Sequence, residues 1–98
     1  MYKHNVELER KLLRIIRYLT YLKQILKENK IREYDYKIYL MIEYLKRFNI
    51  DEFLVNYDEF MDNMKKIKLE NMIIYSNKLR LCVKDFLELD ETVEKSTT

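Results

Sequence analysis

The stretch LERKLLRIIRYLTYLKQIL, residues 8–26, decides the fold. Leu8, Leu12, Ile15, Leu19, Leu22 and Leu26 recur at intervals of 4, 3, 4, 3 and 4, the period of an apolar stripe along one helix face. Glu7 and Glu9 suit the positive end of the helix dipole, and Asn5 is placed to cap it. The spacing predicts a helix over about 5–28 with an exit at Asn29-Lys30.

Three further segments carry the same period. Tyr34, Ile38, Met41, Leu45 and Phe48 predict a second helix over about 34–48. Asn49 is its expected terminator, because Asn tolerates the left-handed conformation that Gly would otherwise supply. Asp51 reads as the N-cap of a third helix, about 51–66, with Phe53, Tyr57, Phe60, Met64 and Ile67 on its stripe. Lys65, Lys66 and Lys68 would complement its negative end. The fourth stripe is Met72, Leu79, Val83 and Phe86, with Ser76 in the gap and Leu69 and Cys82 beside it, over about 70–90. Either Asn71 caps that helix or the third runs into it with a kink. The strand-like run Met72–Tyr75 has no partner strand and reads as helix. Residues 91–98, ETVEKSTT, lack periodicity and are expected to be a flexible tail. Short connections favour antiparallel neighbours, so the expected fold is all-α: a single-domain bundle of about four antiparallel helices.

Composition agrees. The 98 residues include no Gly, Pro, Trp or Ala. Gly-rich phosphate loops are excluded, and hairpin-rich β folds lack their turn residues. Absent Ala, the best helix former, shows that helix selection alone did not shape the list. The missing residues have GC-rich codons, whereas the abundant Lys, Asn, Ile and Tyr have AT-rich ones. That pattern points to an AT-rich bacterium, or a phage, plasmid or other mobile element of one. The lone Cys82 allows no intramolecular disulfide and fits a reducing compartment. The charged N-terminus lacks a signal-peptide core, and no apolar run approaches a membrane span, so the expected location is cytoplasmic.

Three surface constellations follow from the periods. The first is the outer side of the second helix, where Tyr36, Tyr39, Leu40, Tyr44 and Arg47 lie off the primary stripe. Ten of the fifteen positions from Tyr34 to Phe48 are apolar or aromatic, so this helix is either central or covered by another chain. Tyr and Arg are also the types enriched at interface hot spots, although AT-rich coding inflates the Tyr count. The second is a basic face on the first helix, Arg10, Arg14 and Arg17 with Tyr21 and Lys23; residues 10–27 hold six cations and no acid. The third is an acidic face on the third helix: Asp51, Glu52, Asp58, Glu59 and Asp62. Residues 1–50 carry 12 cations and 6 acids (net +6), and residues 51–98 carry 7 and 11 (net −4). These acids disfavour a helix-turn-helix reading of Tyr34–Asp62, since they would face phosphates. They could instead answer the arginines within the bundle or across a dimer, or mimic a phosphate surface for a basic partner.

Catalysis has little to stand on. His4 is the sole histidine, Cys82 has no positioned base, and no metal-ligand spacing appears. No catalytic residue, metal or cofactor is assigned, and neither a membrane nor a small-molecule substrate is expected. In size, Lys content and architecture the chain is similar to class IIa bacteriocin immunity proteins, a likeness of profile that carries no motif. The expectation is a small non-catalytic protein–protein interaction protein (an inhibitor, immunity or regulatory factor) binding a protein partner or forming a homodimer through the second helix. The alternative is a nucleic-acid-binding accessory protein using the basic face of the first.

Overall fold

In the computed structural model the six apolar residues of the opening stripe are the six buried residues of α1, Val6–Glu28. The structure describes the backbone of residues 6–97 and the side chains of residues 6–90. Asn5 and His4 lie outside the described residues. Three more helices follow: α2 (Asp35–Lys46), α3 (Ile50–Met64) and α4 (Glu70–Thr97). No strand occurs among the described residues, and Met72–Tyr75 is helical. The third and fourth helices are separate. The backbone of α4 continues to Thr97, past the expected end at residue 90. The side chains of 91–98, where a tail was expected, lie outside the described residues.

Side-chain contacts fix the topology. Lys11 pairs with Asp85, and Tyr18 and Tyr21 meet Tyr75, so α1 and α4 run antiparallel. Tyr34 meets Phe60 while Lys37 reaches Asn56 and Glu59, which makes α2 and α3 antiparallel. Tyr57 lies beside Val83 and Leu87, and Met61 beside Ser76, so α3 and α4 are antiparallel too. Each helix packs on its two neighbours, and α1 and α3 stand on a diagonal, their Cα atoms nowhere within 8 Å of each other. The result is an up-down-up-down ring of four helices with α1 parallel to α3.

Among the described residues the core is one cluster of 18 buried apolar side chains. It includes Ile38, Met41 and Leu45 of α2, Phe53, Tyr57, Phe60 and Met64 of α3, and Met72, Leu79, Val83 and Phe86 of α4. Met61, beside the expected stripe of α3, belongs to it as well. Ser76 fills the gap in the α4 stripe with a buried hydroxyl that has no hydrogen-bond partner among the described residues.

The absence of Gly has a structural cost at two helix ends. After α1, Lys30 takes φ 61°, the Ile31 N–H donates to the Leu26 carbonyl at 2.8 Å and the Lys30 N–H to Lys27 at 3.0 Å. After α2, Phe48 takes φ 55°, the Asn49 N–H donates to Tyr44 at 2.8 Å and the Phe48 N–H to Leu45 at 3.0 Å. Both are Schellman closures with a side-chain-bearing residue where Gly normally sits, at about 1–2 kcal/mol each. The second closure corrects the expected boundary. Phe48, not Asn49, is left-handed, so α2 stops at Lys46 and Phe48 swings out to 42% exposure. Asn49 instead caps α3, its side chain accepting from the Glu52 N–H at 3.5 Å, in the role expected of Asp51. At the far end α3 stops at Met64, so Lys65, Lys66 and Lys68 lie just beyond the helix, and Ile67 packs on the core from the connection.

Candidate interaction surfaces

The outer side of α2 is determined by its inner side. Ile38, Met41 and Leu45 turn inward and are fully buried. At about 100° per residue, Tyr36, Leu40, Glu43 and Arg47 then form a stripe on the opposite face, with Tyr39 along its edge. Tyr36 is 70% exposed and Tyr39 54%, and their rings stack at 6.1 Å and 24°. Leu40 is half-buried and Arg47 exposed, with no ion pair for Arg47 among the described residues. Glu43, in the middle of the stripe, is held by Lys46 at 3.5 Å. Tyr44 differs from its companions. It is half-buried and packs on the core, so it supports the face from beneath.

The basic face of α1 divides in two. Arg10, Arg14, Arg17 and Tyr21 follow one stripe, all exposed, and the three arginines make no ion pair among the described residues. Lys23 is six residues past Arg17, about 120° around the axis, and leaves that stripe. Tyr21 adjoins an aromatic cluster with Tyr18 at 5.8 Å and Tyr75 at 5.7 Å. Tyr75 comes from α4, and no helical period within α1 could have announced it.

The acidic face of α3 is exposed at Asp51, Glu52, Asp58, Glu59 and Asp62, with Val55 57% exposed among them. Glu59 is taken by Lys37 of α2 at 2.6 Å, and Asp62 meets Lys65 at 3.7 Å. Neither interaction involves α1. Of the three alternatives for these acids, the one in which they answer the arginines inside the bundle is overturned by the diagonal placement of α1 and α3.

Chemistry at Cys82 is unfavourable. The thiol is half-buried beside the core, and burial pushes its pKa up. Arg14 pulls it down and Asp85 pushes it up again, leaving the reactive thiolate disfavoured. Among the described residues no group of three or more His, Cys, Asp or Glu is placed to hold a metal ion. None of the helices in the described part is long and apolar enough to cross a membrane. Comparison with protein-family models, with curated proteins and with solved structures finds no match.

Proposed function

We propose that this chain is a small non-catalytic interaction protein, of the inhibitor, immunity or regulatory kind, that docks a protein partner on the outer face of α2. The observation that carries the reading is the stacked Tyr36–Tyr39 pair standing in solvent on a bundle whose core is already closed without it. Tyrosine rings offer about 150–250 Å² of contact each, together with a hydroxyl for orientation. Leu40 adds an apolar contact between them and Arg47, a cation with no ion pair among the described residues. Such a set, two exposed tyrosines with a leucine and an arginine, resembles an interface centre in its residue types.

The experiment is affinity capture from the native host with wild type and with Tyr36→Ser/Tyr39→Ser, followed by mass spectrometry. A protein captured by wild type and lost from the variant, at unchanged thermal stability, is the expected result. Identical protein sets from both would reject the reading.

The nucleic-acid alternative retains Arg10, Arg14 and Arg17 and loses Lys23 from the stripe. Three phosphate contacts on a single strand correspond to a salt slope of only about −2, a weak hold. The weak hold favours the α2 reading over this alternative.

A further inference from the structure

The arginines of α1 and the aspartates of α3 are two stripes of opposite sign on opposite sides of one bundle, and among the described residues only Asp62 of them has an ion pair, with Lys65 three residues on. Arg10, Arg14 and Arg17 have no acid partner among the described residues, and neither do Asp51 and Asp58. The stripes cannot meet inside the molecule, because α1 and α3 lie on the diagonal of the ring. Between molecules they fit. Arg10, Arg14, Arg17 and Tyr21 are spaced 4, 3, 4 along α1, and Asp51, Val55, Asp58 and Asp62 repeat 4, 3, 4 along α3. The two helices are parallel, and the stripes stand at the same height. Lys11 and Tyr57 both sit against the 83–87 stretch of α4, while Tyr18 and Met61 sit against 75–77.

We infer that the chain self-associates head to tail, the basic face of α1 in one copy docking on the acidic face of α3 in the next. A sideways translation of one copy, without rotation, brings Arg14 and Arg17 level with Asp58 and Asp62, and each stripe contributes one partly apolar contact, Tyr21 and Val55. The contact is heterologous: each added copy presents a fresh acidic face and a fresh basic face, so assembly grows with concentration instead of stopping at a dimer. Its attraction is between solvent-exposed charges and is therefore screened by salt.

The test is sedimentation of the full chain over a range of concentrations, at about 0.01 M salt, where the Debye length is about 30 Å, and at about 1 M, where it is about 3 Å. The expected result is a mass that climbs with concentration at low salt and returns to a single chain at high salt. Two triple variants, Arg10→Glu/Arg14→Glu/Arg17→Glu and Asp51→Lys/Asp58→Lys/Asp62→Lys, are each expected to stay monomeric. Mixed one to one they should associate again, since both complementary pairings are then available. Circular dichroism checks that each is folded, and the neutral pair Arg14→Gln and Asp58→Asn, each weakening association at least several-fold, serves if a triple variant is not. A wild type that is monomeric at low salt overturns the proposal, as does a mixture that fails to associate. Association that persists at about 1 M salt and is lost with Tyr36→Ser/Tyr39→Ser would overturn it too, while leaving the α2 reading intact. Arginine variants that abolish binding of a single-stranded oligonucleotide by a monomeric wild type would transfer the face to nucleic acid.

Discussion

Helices α1 and α2 come from the same kind of apolar period and have been put to different use. In α1 every residue of the stripe is buried, and the opposite side carries Arg10, Arg14 and Arg17 with the separate exposed side chains Leu13 and Tyr21. In α2 the inner stripe is equally buried, yet the outer side displays two stacked tyrosines and a half-buried leucine. Length sharpens the contrast. The 23 residues of α1 extend about 35 Å and the 12 of α2 only about 18 Å, so α2 has the smaller inner face and the larger apolar excess. On the proposed reading, apolar content in excess of what the core can absorb is what would separate a packing helix from a helix that also docks.

The comparison can be broken first at the core. Leu19→Ala in α1 and Met41→Ala in α2 are both expected to cost about 2–5 kcal/mol in urea unfolding, since both side chains are fully buried. A cost below about 1 kcal/mol at Met41 would mean that α2 is not held by its inner face. Next in size is Ser76→Ala. Removing a buried hydroxyl that lacks a partner should gain stability, by about 1 kcal/mol, and a loss would reveal a hidden hydrogen bond.

The two helix ends provide a finer comparison. Lys30→Gly after α1 and Phe48→Gly after α2 both relieve a left-handed φ, so both are expected to raise stability, read as a higher melting temperature, by about 1 kcal/mol for the exposed Lys30. Phe48 gains less, because the substitution also removes a ring of which more than half is covered. A pH titration follows. Burial pushes the Tyr57 phenol up to about 12, with Arg80 pulling it down and Asp58 pushing it up. The folded state then keeps a proton that the unfolded chain releases near pH 10, so this stabilisation is full below pH 10 and is lost as pH rises toward about 12. Tyr57→Phe is expected to flatten the fall in melting temperature over that window; an unchanged slope would assign the fall to other tyrosines. Smallest of all, Tyr36→Ser/Tyr39→Ser should change stability by no more than about 0.5 kcal/mol.

Much of this contrast was legible in the residues. The 4, 3, 4, 3, 4 period of α1 identified its buried face completely, because a long uninterrupted stripe leaves a helix one way to pack. The outer position of Tyr36 and Tyr39 followed from the same arithmetic. Helix ends were harder to read. With no Gly or Pro to mark a stop, the left-handed residue fell on Phe48 rather than Asn49, because the chain geometry chose the position before the side chain could. Met61 was missed because a stripe defined by one residue per turn is narrower than the face a neighbouring helix covers. Tyr75 joined the α1 surface from another helix, a juxtaposition that only tertiary structure creates. The diagonal placement of the arginines and aspartates belongs to the same class.

The central claim, that α2 carries the docking face, is tested most directly by site-specific photocrosslinking in the native host. A benzophenone amino acid replaces Tyr36 or Tyr39 in turn, with Val55 on α3 as the comparison site. The account predicts a discrete adduct with a second polypeptide from positions 36 and 39, while position 55 gives at most adducts between copies of this chain. Adducts absent from both α2 positions, in a protein of wild-type stability, would contradict it.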